Sequence, residues 1–138
     1  MKTNKTIILI ISHGFLAQAL VETVELIVGK LSDVFYINFP KEKNLSYLEK
    51  NLGEFVTRHK KNNIIIFIDI CGGSCLNVCY KYLNRKNIRI FSGINLPILL
   101  ETVTNKDYLS FSELINKIKE KISSAMIDIN EKADGYKI

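Results

Sequence analysis

Residues 6–14 read Thr6-Ile7-Ile8-Leu9-Ile10-Ile11-Ser12-His13-Gly14, an apolar run that stops on a serine, a histidine and a glycine. Five consecutive apolar residues, Ile7 to Ile11, four of them β-branched, have the pattern of a strand buried on both faces. Ser12 and His13 are expected just past its carboxyl end, and from Leu16 onward the apolar residues recur at helical spacing. In open α/β sheets the carboxyl ends of the strands are where ligands and reacting groups collect.

Working outward, Leu16, Leu20, Val24, Ile27 and Val28 form the predicted buried face of a first helix, with Gly29 as its stop. Val34 to Phe39 reads as a second strand closed by Pro40. The next helix has two candidate starts, a capping box of Ser46 with Glu49 or a cap at Asn44. Leu45, Leu48, Leu52, Phe55 and Val56 form its apolar side, and Asn62-Asn63 ends it. Ile64 to Ile68 repeats the fully apolar strand and also ends on a polar residue, Asp69, followed by Cys71-Gly72-Gly73-Ser74. A third helix over Cys75 to Leu83, a strand at Ile88 to Phe91 and a short helix with Pro97 in its first turn running to Val103 complete the alternation. Ser110 and Glu113 form a further capping box, and Leu114, Ile115, Ile118, Ile122, Ala125 and Met126 give the stripe of a last long helix.

This β-α alternation predicts an α/β fold with an open, mostly parallel central sheet and helices on both faces. Met126 to Ile129 alternates enough to be a candidate C-terminal strand, antiparallel to the rest. A single domain over residues 1–130 is expected, with a polar, mobile tail at 131–138.

With 138 residues, 47% hydrophobic and 24% charged, the composition is that of an ordinary globular chain able to form a core without disulfides or metal. No apolar run approaches the ~20 residues of a membrane span, and no signal-peptide core follows the first residues. A soluble cytoplasmic protein is expected. The net charge of +5 comes from scattered lysines such as Lys41, Lys60, Lys117 and Lys121, so no nucleic-acid partner is expected. His59, within Arg58-His59-Lys60-Lys61, reads as a solvated helix end.

The two most apolar strands are expected side by side in the centre, which brings His13 and Asp69 to one rim. A carboxylate bonded to one imidazole nitrogen fixes the tautomer and leaves the other nitrogen as a basic lone pair. Gly72-Gly73-Ser74 would open a helix whose first amides are unpaired, and glycines let an anion come close to the backbone. Taken singly, each feature has an ordinary loop reading. Together they indicate a shared anion or catalytic site that a phosphoryl group would fit. The chain has no Gly-x-x-x-x-Gly-Lys-Ser/Thr loop, so ATP is not the expected phosphate source.

Three stretches carry a specific resemblance: Ile-Ser-His13-Gly-Phe-Leu-Ala, Ile-Asp69-Ile-Cys-Gly-Gly-Ser-Cys-Leu-Asn77, and Ser-Gly93-Ile-Asn-Leu-Pro97. In order and spacing, over about residues 6 to 125, they resemble the mannose-family enzyme IIA domain of the bacterial sugar phosphotransferase system. The resemblance implies a phosphoryl carrier that takes phosphate from the histidine-containing carrier protein HPr and hands it to a histidine of enzyme IIB during sugar uptake. It implies that His13 is phosphorylated through Nε2, that Asp69 holds the ring at Nδ1, and that Ser74 and the amides after Gly72 and Gly73 receive the phosphoryl oxygens. Phe15 and Leu16 are candidates for docking partner proteins, although Leu16 also suits the buried face. A homodimer with an exchanged C-terminal strand is implied too, with contact to the membrane only through the enzyme IIC/IID permease. Enzyme IIB is expected as a separate protein, and no cofactor or metal is expected.

Where relatives carry Phe-Gly-Gly-Ser-Pro, this chain has Cys71-Gly-Gly-Ser-Cys75, with Cys79 one turn on. Cys75 stands near a predicted helix N-terminus, where a thiol pKa is lowered, but three thiols without a fourth ligand make a poor zinc site. Reduced cysteines, buried or half-buried, are the expectation, with redox control of the cleft as the alternative. Two other functional readings stand beside the sugar carrier. One is the phosphotransfer subunit of a dihydroxyacetone kinase, and the other is a non-catalytic module with the same fold.

Overall fold

The computed structural model describes residues 4–135. The elements in chain order are β1 (Thr6–His13), α1 (Leu16–Val28), β2 (Val34–Phe39), α2 (Leu45–Arg58), β3 (Asn63–Ile68), α3 (Gly73–Asn77), a 3₁₀ turn (Tyr80–Tyr82), β4 (Ile88–Ser92), α4 (Leu96–Asn105), α5 (Phe111–Ile122) and α6 (Ile129–Gly135). The four strands form one parallel sheet in the order β2-β1-β3-β4, so the two most apolar strands are the central neighbours. Open, parallel and covered by helices on both faces, the sheet has the predicted architecture.

Side-chain alternation along the strands splits the core in two. Ile7, Leu9 and Ile11 with Ile64, Ile66 and Ile68 pack under Leu48, Leu52 and Phe55 of α2 and under Cys75, Val78, Cys79 and Tyr82. Ile8, Ile10, Ile65 and Phe67 face Ala17, Val21 and Val24 of α1, Leu99 and Val103 of α4, and Leu114 and Ile118 of α5. Each fully buried isoleucine contributes about 1.5–3 kcal/mol relative to exposure. The strands therefore need helices on both sides, and their near-continuous isoleucine runs are the consequence.

Local signals set several boundaries. Asn44, rather than Ser46, caps α2, accepting the Tyr47 N–H at 3.0 Å. Asn95 caps α4 by accepting the Ile98 N–H at 3.0 Å. The capping box of Ser110 and Glu113 opens α5 as predicted.

The structure corrects five expectations about the fold. His13 is the last residue of β1, paired in register with Phe39 of β2, rather than a residue beyond the strand. The buried face of α1 is Ala17, Val21 and Val24, while Leu16, Ile27 and Val28 are exposed. Ala17, Val21 and Val24 follow at helical spacing on the face packed against the sheet, and that phase turns the larger residues outward. The predicted Cys75–Leu83 helix is the five-residue α3 followed by the 3₁₀ turn. Its hydrogen bonds tighten to i−3, with Cys79 N–H reaching Leu76 O at 2.9 Å and Tyr82 N–H reaching Cys79 O at 3.0 Å. His59 is half-buried against Phe55 and Phe35, with ring centroids at 4.5 and 5.3 Å.

The last correction concerns the C-terminus. Residues 126–129 form no strand: the long helix stops at Ile122, short of the predicted Ala125 and Met126, Met126 is 92% exposed, and among the described residues no strand pairs with the segment. Asp128 instead opens α6, its carboxylate accepting the Glu131 N–H at 3.1 Å, so the beginning of the predicted mobile tail is helical. Residues 136–138 of that tail lie outside the described residues. Among the described residues no helix is long and apolar enough to cross a membrane.

Candidate functional site

The chain leaves β1 toward β2 on one side and continues to β3 on the other, so the strand order reverses between β1 and β3. A crevice forms outside the carboxyl ends at such a switch point. His13 ends β1, Asp69 follows β3 directly, and the glycine turn that opens α3 lies beside them. The structure brings His13, Asp69 and Gly73 together, with Gly72 and Ser74 on either side of Gly73 in the chain.

Asp69 Oδ2 accepts the backbone N–H of His13 at 2.9 Å and lies 2.8 Å from its ring Nδ1. The other oxygen, Oδ1, accepts the Ile70 N–H at 3.0 Å. Burial pushes the Asp69 carboxyl up, but the backbone and ring hydrogen bonds from His13 and the Ile70 amide outweigh it and hold the pKa below the usual carboxylate value. The group is a carboxylate, which only accepts, so the Nδ1 facing it carries the proton. Nε2 is left with the lone pair. The imidazole side chain is 43% exposed and the carboxylate 9%. The nucleophilic edge thus meets solvent while its orienting partner is sheltered.

Gly73 lies against that edge. Its φ is +77°, and a side-chain Cβ there would stand 3.4 Å from both Cε1 and Nε2 of His13. Gly72 before it has φ +104°. Two adjacent left-handed residues turn the backbone from β3 into α3 beside the imidazole, a path that L side chains disfavour. Phe39 contacts the ring edge-on, with centroids 6.3 Å apart.

Several supports carried no local sequence signal. Ser12 is fully buried, and its Oγ accepts the Ala17 N–H, so it ties α1 to the end of β1 where Phe15 offers no side-chain cap. Asn38 and Gln18 exchange hydrogen bonds, Asn38 Nδ2–H to Gln18 Oε1 at 2.9 Å and Gln18 N–H to Asn38 Oδ1 at 3.2 Å. Because Asn38 stands beside Ser12 in the register, both contacts brace the turn that follows His13.

The three cysteines differ in environment. Cys71 is exposed, while Cys75 and Cys79 are buried. Burial, with the neighbouring Asp69 charge and Cys79, pushes the Cys75 thiol up to about 12, and burial alone does the same for Cys79. The lowering expected of a helix N-terminus is overridden by desolvation. Cys75 Sγ lies 3.8 Å from His13 Nδ1, and ligand atoms of His13, Asp69 and Cys75 all fall within 4.8 Å of one another. A phosphoryl acceptor and a cation-binding cluster are both within this arrangement's chemistry.

The chain is similar to known proteins over most of its length. Residues 7–119 match the family model described as the PTS system fructose IIA component. The PTS system sorbose-specific EIIA component of Lacticaseibacillus casei is 28% identical over 136 residues, covering 94% of this chain and 99% of that protein. The PTS system mannose-specific EIIAB component of Escherichia coli strain K12 is 29% identical over 111 residues, which is 78% of this chain and 34% of that longer protein. Among solved structures, the phosphotransferase system component EIIA from Streptococcus agalactiae is similar with a TM-score of 0.81 at 26% identity, covering 91% of this chain and 98% of that one. With most of its length matched by the family model, the chain belongs to the EIIA family of the sugar phosphotransferase system, whose components are phosphotransferases.

Proposed function

We propose that the chain carries a phosphoryl group on His13 Nε2, accepting it from HPr and donating it to a histidine of enzyme IIB. The observation that carries this reading is the 2.8 Å contact between His13 Nδ1 and Asp69 Oδ2, which fixes the tautomer that leaves Nε2 nucleophilic. In the forward step the Nε2 lone pair attacks phosphorus and the P–N bond of the donor breaks. The donor nitrogen keeps the bonding electron pair. Nδ1 retains its proton, and the positive charge that develops on the ring is offset by the Asp69 carboxylate. Breaking and forming bonds are alike, so the step is close to reversible, and catalysis is a matter of in-line positioning and charge stabilisation.

Ser74 and the amides after Gly72 and Gly73 are the assigned receivers of the phosphoryl oxygens, a role supported by the contact of Gly73 with the Nε2 edge. The exposed apolar side chains Phe15, Leu16 and Ile70 rim the histidine and suit docking by a carrier protein. The carrier works in the cytoplasm as a homodimer and reaches the membrane only through the enzyme IIC/IID permease.

The test is intact-mass analysis after incubation with phosphoenolpyruvate, enzyme I and HPr. One acid-labile phosphoryl adduct is expected on the wild type and none on His13→Ala. Absence of the adduct with active upstream proteins under reducing conditions would sink the proposal.

A further inference from the structure

Cys75 lies in the first turn of α3, and its thiol stands 3.8 Å from the ring nitrogen that Asp69 orients. We propose that His13 Nδ1, the Asp69 carboxylate and Cys75 Sγ form a binding site for a thiophilic divalent cation of the zinc type.

The three donors come from the end of β1, the residue after β3 and the first turn of α3. A tetrahedral zinc ion, with bonds of about 2.0 Å to nitrogen and oxygen and about 2.3 Å to sulfur, spaces its donors about 3.2–3.8 Å apart. Nδ1 lies 2.8 Å from Oδ2 and 3.8 Å from Sγ, on either side of that spacing, and all three donors fall within 4.8 Å of one another, so the carboxylate and thiol close on the ion as it binds. Entry of the ion requires the ring and carboxylate to part by about half an ångström. The half-exposed imidazole can make that shift, while Asp69 stays anchored through Oδ1 to the Ile70 amide. A donor set of imidazole, carboxylate and thiolate selects a zinc-like ion over calcium or magnesium, which take oxygen ligands. Binding releases two protons to solvent, one from Nδ1 and one from Sγ, and the carboxylate keeps its charge. Water completes the fourth position.

The ion would replace the Asp69-bound proton of the imidazole and draw electron density from the ring, so Nε2 becomes a poorer nucleophile. Zinc is then an inhibitor of phosphoryl uptake. This consequence rests on the carrier role proposed above, whereas the binding site does not.

Cobalt(II) titrated into the reduced, full-length protein reports the site directly through its thiolate charge-transfer absorption. The band is expected in the wild type and in Cys71→Ser, absent in Cys75→Ser, and reversed by zinc. In His13→Ala, whose exposed side chain is dispensable to the core, the cobalt affinity should fall by about tenfold or more. No band in the wild type, loss of the band in Cys71→Ser, or unchanged affinity in His13→Ala overturns the site. Phosphoryl uptake is measured separately: zinc should slow it in the wild type, and equal rates with and without zinc overturn the inhibitory role. A zinc-free protein that takes up no phosphoryl group counts against the carrier reading, while the cobalt titration still decides the site.

Discussion

A single carboxylate oxygen, Asp69 Oδ2, takes both hydrogen bonds that His13 directs toward β3, the backbone N–H at 2.9 Å and the ring Nδ1–H at 2.8 Å. The backbone bond sets the height of the residue on the strand and the ring bond sets its rotation. With both held by one atom, Nε2 has one direction in which to point. Asp69→Asn offers an amide that can donate as well as accept and so permits the opposite tautomer. Phosphoryl uptake should fall about 10²- to 10⁴-fold, with the circular-dichroism spectrum unchanged. Uptake at the wild-type rate would remove Asp69 from the mechanism.

Gly73→Ala should be costly through its backbone. The left-handed φ of +77° destabilises by about 1–3 kcal/mol in a non-glycine residue, and the new methyl would lie in contact with the Cε1–Nε2 edge of His13 at 3.4 Å. Urea denaturation should show the loss of stability, and the imidazole proton resonances of His13 should shift. A variant with wild-type stability and an unmoved imidazole would contradict the geometry.

Thiol labelling distinguishes the cysteines. Cys71 is exposed, whereas the Cys75 and Cys79 thiols are buried, with pKa values of about 12. A thiolate-selective reagent should modify Cys71 alone in the native protein and all three cysteines after unfolding. Prompt native labelling of Cys75 would show that the loop before α3 opens.

The opposite end of the sheet carries a charge cluster with a pH signature. Asp33 bridges Lys5 at 2.8 Å and Lys106 at 3.2 Å, and the Lys106 side chain is 3% exposed and also reaches Asp107 at 2.9 Å. Burial pushes the Asp33 carboxyl up, but the hydrogen bonds and charges of Lys5 and Lys106 prevail and hold its pKa below the ordinary 3.8. A depressed folded pKa gives stability that is fully present above the unfolded value and is lost as pH falls through the folded one. The urea midpoint of the wild type should therefore drop as the pH falls below about 4, and Asp33→Asn should drop less. At neutral pH that variant should be less stable by about 1–3 kcal/mol, since Lys106 loses its ion pair with Asp33 and retains the one with Asp107. Parallel curves for the two proteins would show that the bridge contributes nothing.

Residue order alone conveyed a good part of this. Consecutive isoleucines in β1 and β3 marked strands buried on both faces, Ser110 with Glu113 marked the start of α5, and Val34–Phe39 was readable as an apolar stretch closed by Pro40. These are local properties, because propensity, capping and the period of burial act over a few residues. Helix α1 shows where that logic fails. Its large apolar residues at positions 26–28 outweigh Ala17 in any count of hydrophobicity, yet Ala17 is buried and residues 26–28 are exposed, because the phase of the helix against the sheet is a tertiary property. The same holds for residues 126–129, whose alternation found no strand to pair with, so Asp128 started a helix instead.

The sequence by itself determined the α/β alternation, the identity of the central strands, and the choice of His13 and Asp69 as residues at strand ends. Tertiary structure decided what those residues do to each other. His13 and Asp69 are separated by 56 positions and His13 and Cys75 by 62, and only parallel pairing of β1 with β3 brings the three within contact. Hydrogen-bond direction, the tautomer of the imidazole and the burial that lifts the Cys75 thiol are properties of that contact, because each depends on distance and solvent access rather than on neighbours in the chain.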